Sequence, residues 1–225
     1  MACIELAKHA ESIFDGRLDV LVNNAGTSWG EDPYSRESST ANWGWDKVLN
    51  LNVKGMFYLS RECVPLLQSP QSTRPQSQDA AHASANEKDA KRDVENNHDP
   101  GRIINIGSIA GMIPQETPTH AYDVSKAAVH HLSKKMSSDL APRGITVNVI
   151  APGYVPSRMT MGLSAWGADA KKIEKKIPLG RMGDEKDMAG AAIFLASRAG
   201  AWCTGVILNV DGGAVGATQI PMASL

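Results

Sequence analysis

Cysteine is scarce in this sequence: its 225 residues include only Cys3, Cys63 and Cys203. An odd, widely spaced set is neither a disulfide framework nor a metal-ligand pairing, and it fits a reducing, cytoplasmic setting. Charge of either sign is not in excess. A formal net charge of -1 gives no basis for nucleic acid or an anionic membrane as a partner. Long apolar runs are missing as well, none approaching the roughly 18 residues of a membrane span. The N-terminal stretch MACIELAKHAESIF carries Glu5 and Glu11 among its apolar residues. It reads as the end of an amphipathic helix and not as a signal peptide. A chain that starts inside a helix points to a shortened N-terminus.

What is present is a regular alternation. Residues 2–15 have Ile4, Ala7 and Ile13 at helical spacing, with Gly16 as the stop. Leu18 to Val22 is a short apolar run that ends in a turn. From Trp43 to Leu67, Val48, Leu51, Gly55, Leu59, Cys63 and Leu66 recur at helical intervals, and Pro65 marks the end. Arg102 to Gly107 is a second strand. Tyr122 to Ala141 is a helix with Val124, Ala128, Leu132, Met136 and Leu140 along one face. Ile145 to Ile150 and Gly205 to Val210 are two further strands, separated by a helix that Asp184 caps. Short apolar strands alternating with helices predict an α/β fold, a doubly wound parallel sheet covered on both faces. The ligand crevice then lies outside the carboxyl ends of the strands. Residues 68–100 are an exception, being polar, free of aromatics and with Val94 as the only large aliphatic. Such a stretch buries too little apolar surface to offset its ordering entropy, so it is expected to be a disordered insertion. Because it joins a helix end to a strand start, it should emerge opposite the crevice.

The chemistry centres on Tyr122 and Lys126. Four apart on a helix, they share one face. A free tyrosine ionises at about pH 10, and a nearby ammonium in a cleft favours the phenolate. The pair suits proton exchange with an alcohol or carbonyl. Ser108, at the end of the preceding strand, can reach the same crevice and orient a substrate oxygen. Trp29 and His120 sit near it, whereas His130 and His131 lie beyond the turn and read as structural or exposed.

Six segments in order, LVNNAG at 21–26, LNVKG at 51–55, IINIGS at 103–108, YDVSK at 122–126, GITVNVIAPGYV at 144–155 and GVILNVDGG at 205–213, carry a resemblance. Together they resemble the short-chain dehydrogenase/reductase family in its compact, single-domain Rossmann form. The IPLGRMG and DGG elements resemble its 3-oxoacyl-carrier-protein reductase-like and fungal rhamnolipid-type members. The resemblance implies an NAD(P)-dependent oxidoreductase acting on a small carbonyl or alcohol, with a catalytic tetrad of Asn52, Ser108, Tyr122 and Lys126. Tyr122 would be the acid/base. Lys126 would lower its pKa and hold the nicotinamide ribose, Ser108 would polarise the carbonyl, and Asn52 would hold a proton-relaying water. Asn24, Ala25 and Gly26 would lie along the cofactor ribose. Pro152, Gly153, Val155 and Ser157 would meet the nicotinamide end. Residues 158–180 would form a substrate lid, with Met159, Met161, Leu163 and Trp166 lining a pocket or simply packing. The helices at 43–67 and 122–141 match the family's dimer faces, so a homodimer or homotetramer is implied.

The resemblance also marks a departure. The family's opening strand and Gly-rich turn, which bind pyrophosphate at a helix N-terminus, have no counterpart here. Nor does the residue that selects NAD or NADP, although NADP is favoured. The chain is therefore expected to be a single partial domain over 1–225, truncated so that the first three strands are absent. Weak cofactor affinity and little activity are the expected consequence. The alternative is an inactive short form that serves as an oligomerisation partner.

Overall fold

The computed structural model describes residues 2–32, 34, 43–68, 99–157 and 170–217. The elements alternate as expected: α1 (Ala2–Ile13), β1 (Val20–Asn23), α2 (Trp43–Leu49), a π-helical turn (Asn50–Gly55), α3 (Met56–Leu67), β2 (Gly101–Ile106), α4 (His120–Leu140), β3 (Ile145–Pro152), α5 (Ala170–Lys176), α6 (Glu185–Ala196) and β4 (Ile207–Val210). The strands form one sheet in the order β1-β2-β3-β4, every pairing parallel. The two-residue period of a strand sends alternate side chains to opposite faces. Leu21, Ile103, Ile145 and Val147 meet α1, α3 and α4 through Ala7, Cys63, Val64, Val129 and Met136. Val20, Ile104, Ile150 and Leu208 meet α6 through Ala191 and Leu195. The sheet is thus covered on both faces, as a parallel sheet requires.

The helix faces differ from the expected ones. In α4 the buried residues are Ala121, Ser125, Lys126, Val129, His130, Ser133, Met136, Ser137 and Leu140, while Val124 is 49% exposed. Met136 and Leu140 of the expected face are buried and Leu132 packs beside them, but small and polar residues share the side that faces the sheet. Their hydroxyls let the helix approach closely, and Asn105 Nδ2 on β2 donates to Ser133 Oγ at 2.8 Å. In the second helical stretch the π turn inserts an extra residue and rotates the helix beyond it. The buried line runs Val48, Asn52, Met56, Ser60, Cys63 and Leu67, and leaves Leu51 outside. Pro65 sits in the last turn of α3 without ending it at once. In α1 only Ala7 is buried, and Ile4 and Ile13 point outward.

The two flanks of the 68–100 stretch meet. A Cβ built on Gly101 would fall 2.2 Å from the Leu67 carbonyl oxygen. The stretch leaves and returns at the amino end of β2, opposite the crevice, and residues 69–98 themselves lie outside the described residues. So do residues 158–169, which hold Met159, Met161, Leu163 and Trp166. α6 begins with a full capping box: Asp184 accepts from the Lys186 and Asp187 amides, and the Asp187 carboxylate accepts from the Asp184 amide. Among the described residues β1 pairs only with β2, and Val22 stands 48% exposed at that edge.

Candidate active site

Because the strands are parallel, their carboxyl ends, after Asn23, Ile106 and Pro152, lie along one edge of the sheet. Ser108 comes two residues after β2, in an extended conformation. Its Oγ accepts from the Ala110 amide at 3.2 Å, and its own proton is directed at the Tyr122 oxygen. Tyr122 lies one turn into α4, its hydroxyl hydrogen-bonded to the Ser108 side chain. Lys126, one turn further, is buried to 7% exposure, and its Nζ donates to the Ile106 carbonyl at 2.7 Å. The ammonium stands 5.5 Å from the centroid of the Tyr122 ring.

Asn52 joins the group from the π turn. Its Oδ1 accepts from the Thr27 amide, and its Nδ2 donates to the Thr27 carbonyl and to Ser125 Oγ, each at 2.9 Å. Ser125 Oγ in turn donates to the Tyr122 carbonyl at 2.7 Å. The Asn52 side chain thus ties the loop after β1 to the Tyr122 turn of α4.

Gly26 shows how close these parts stand. A Cβ there would be 3.4 Å from Asn52 Oδ1 and 3.9 Å from Lys126 Nζ. Asn24 and Ala25, just before it, are exposed at the mouth of the crevice. Across the mouth, Gly153 donates its amide to the Val210 carbonyl, and a Cβ on it would run into Asp211 at 2.8 Å. Val155 packs near Gly183, and Ser157 is exposed. The Tyr154 hydroxyl donates to Gln115 Oε1 at 3.1 Å, and Lys176 of α5 pairs with Glu116 at 2.6 Å. Two contacts therefore bridge the loop after Ser108 to the segment after β3. Trp29 and His120 line a narrow cleft with Glu31, Trp45 and Pro118. A hollow of about 500 Å³ between Pro178–Gly183 and Asn209–Gly213 contains none of the tetrad.

The electrostatics depart from expectation. Burial pushes the Tyr122 phenol above its ordinary value, the Ser108 hydrogen bond pulls it back in part, and the Asp123 carboxylate pushes it up again. The Lys126 ammonium is directed at the Ile106 carbonyl, and burial pushes the amine itself down to about 8. Tyr122 is therefore held in its protonated, proton-donating form at neutral pH.

Two further residues stand against the site. Ser125 carries no signal of its own inside YDVSK, although its place three residues after Tyr122 puts it on an adjoining face. His130, expected beyond the turn, is 5% exposed directly beneath Gly107 and Ser108, whereas His131 is exposed. The three cysteines are free, and no metal-ligand cluster occurs among the described residues. Nor, among those residues, is any helix long and apolar enough to cross a membrane.

Comparison with known proteins accounts for this arrangement. The family model described as short chain dehydrogenase matches residues 1–74, and the one described as Enoyl-(Acyl carrier protein) reductase matches residues 85–215. The rhamnolipids biosynthesis 3-oxoacyl-[acyl-carrier-protein] reductase of Pseudomonas aeruginosa is 40% identical over 197 residues, covering 88% of this chain and 66% of that protein. The 2-dehydro-3-deoxy-D-gluconate 5-dehydrogenase of Dickeya dadantii is 34% identical over 198 residues, with 88% and 66% covered. Among solved structures, the Pseudomonas aeruginosa RhlG/NADP active-site complex superposes with a TM-score of 0.73 at 37% identity, covering 95% of this chain and 72% of that one. A Burkholderia cenocepacia gluconate 5-dehydrogenase in complex with NADP and tartrate gives 0.71 at 28% identity, with 96% and 71% covered. The chain spans about two thirds of the length of these curated relatives. The fold, the ordered motifs and these matches together place the chain in the short-chain dehydrogenase/reductase family of Rossmann-fold oxidoreductases.

Proposed function

We propose that this chain carries the catalytic half of an NADP(H)-dependent reductase that interconverts a small-molecule carbonyl and its alcohol. The observation that carries the reading is the convergence of Ser108, Tyr122 and Lys126 at the carboxyl edge of the sheet, with Tyr122 held protonated. The nicotinamide, when bound, supplies or takes the hydride. Ser108 donates its proton to the carbonyl oxygen and orients it. Tyr122 donates the proton that completes the alcohol. Lys126, buried and cationic, holds positive charge beside the phenol as that proton leaves. Asn52 keeps the loop after β1 and the Tyr122 turn in register.

The residues present fit the nicotinamide end of the cofactor. Gly26 leaves open the space beside Asn52 and Lys126 that a Cβ would occupy, and exposed Asn24 and Ala25 flank it. Pro152, Gly153, Val155 and Ser157 form the opposite lip. NADP is preferred over NAD because two structural relatives are NADP complexes. The substrate class is kept to a carbonyl/alcohol pair, since the relatives' names span acyl thioesters and sugar acids. No Gly-rich pyrophosphate turn occurs in this sequence, so the chain by itself should bind NADPH more weakly than micromolar. Outward Tyr58 and Val124, on α3 and α4, offer apolar contacts for a homo-oligomer through those helices.

The test is titration of the purified chain with NADPH and NADH, then turnover of a β-ketoacyl thioester and a keto sugar acid at saturating NADPH. Carbonyl-dependent NADPH oxidation that Tyr122→Phe abolishes would support the reading. Turnover that survives Tyr122→Phe would overturn it, and micromolar NADPH binding would overturn the affinity argument. Light scattering after size exclusion would test the oligomer, with a strict monomer against it.

A further inference from the structure

The site's geometry depends on where Ser108 sits, and one side chain outside the tetrad bears on that directly. His130 is on α4, one turn past Lys126, at 5% exposure. The Ser108 amide points at its Nε2, 3.4 Å away. The preceding residue has no side chain to spare: a Cβ on Gly107 would fall 2.4 Å from that Nε2 and 2.6 Å from Val149 Cγ1. The imidazole therefore fills the space under the Gly107–Ser108 turn and offers the turn its acceptor. An imidazole can accept at Nε2 only if the proton is on Nδ1 and the ring is neutral. The charged groups near it agree with that state. Lys126 and Lys134, on its own helix, are both cationic neighbours. The turn and β3 contribute Gly107, Ser108 and Val149, none of them titratable. Burial, assisted by the two lysines, pushes the ring down to about 4, so it stays neutral across the physiological range.

We propose that His130 is a positioning residue for Ser108: a neutral Nδ1–H imidazole whose Nε2 accepts the Ser108 amide and so sets the angle at which the serine hydroxyl meets Tyr122. This rests on the reading of Ser108 as functional. Its test is a property of the cofactor-free chain, so it can fail or succeed whatever the turnover assay shows. Glutamine carries an acceptor at the position of Nε2, whereas leucine fills the space without one. Long-range ¹H–¹⁵N correlation at neutral pH should show His130 as a single Nδ1–H tautomer that titrates well below the ordinary range of an imidazole. An Nε2–H ring, or an averaged mixture that titrates in the ordinary range, would overturn the proposal. In His130→Leu the Ser108 amide should exchange at least tenfold faster and the Tyr122 phenol titration should shift. His130→Gln should restore both. Equal behaviour of the two variants would mean that the ring is packing alone. Should His130→Leu fail to fold, the wild-type tautomer and His130→Gln still decide the matter.

Discussion

Replacing Lys126 with Met separates stability from catalysis in this site. The amine is 7% exposed, and burial pushes it from 10.5 down to about 8. At roughly 1.4 kcal/mol per pH unit, keeping the ammonium charged at neutral pH costs the fold about 3 kcal/mol. That figure is net of the charged hydrogen bond to the Ile106 carbonyl. Methionine keeps the length of the stem and discards both the charge and the bond. Lys126→Met should therefore be at least as stable as wild type at pH 7, by up to about 3 kcal/mol. The sign of the pH dependence is fixed. The folded protein releases the Lys126 proton near 8, whereas the unfolded chain keeps it to about 10.5. Across that window the unfolded state binds more protons, so wild-type stability rises with pH relative to the variant. Urea unfolding of both proteins in steps from neutral to strongly alkaline pH reads this directly, and the difference between them cancels every other titrating group. A wild type that loses stability relative to the variant across the window would refute the reasoning. So would a variant more than about 2 kcal/mol less stable at pH 7.

Asn52→Ala removes three hydrogen bonds, the buried one to Ser125 and two partly buried ones to the Thr27 amide and carbonyl, at roughly 1 kcal/mol each. A lowered urea midpoint worth about 2–4 kcal/mol is expected. Gly107→Ala drives a Cβ to within 2.4 Å of His130 Nε2 and 2.6 Å of Val149 Cγ1, and should cost about 1–3 kcal/mol through overpacking. The same unfolding curves would show it, and a neutral result would mean that the turn is softer than its contacts imply. The raised Tyr122 phenol predicts a reductive rate that stays level through neutral pH and falls only on the alkaline side, while the oxidative rate climbs with pH. Initial rates measured in both directions would check this.

The central strands β2 and β3 were legible because their apolar residues are buried on both faces, Ile103, Ile104, Ile145, Val147 and Ile150 among them. The helix faces were not. Apolar periodicity assigns α4 a face through Val124, Ala128, Leu132, Met136 and Leu140; Met136 and Leu140 are buried, but Val124 is outside and the helix also turns Ser125, Ser133 and Ser137 to the sheet. The reason is local. Asn23 and Asn105 are register partners on β1 and β2, and they form a buried polar ladder: Asn23 Nδ2 donates to Ser60 Oγ at 2.9 Å and to Asn105 Oδ1 at 2.8 Å, and Asn105 continues to Ser133. A buried amide needs hydrogen-bond partners on the helix above it, and small hydroxyls supply them while letting the backbone come close. A pattern that counts only apolar residues overlooks such a face. It overlooks the π turn for a related reason, since a single extra residue shifts every later position without changing composition.

The site was legible to different degrees for the same physical reasons. Tyr122 and Lys126 announce themselves through chemistry that no core residue needs, and their spacing alone places them on one face. Ser108 and Asn52 required the ordered motifs, since a serine after a strand and an asparagine in a helix have ordinary structural uses. Here Asn52 serves such a use as well, and its side chain builds the site by joining two loops. His130 carried a usable signal. It lies four residues after Lys126, hence on the same face one turn deeper, and a glycine ends the strand that this face covers. A glycine at that place needs something beside it that would not tolerate a Cβ, and the imidazole is that group.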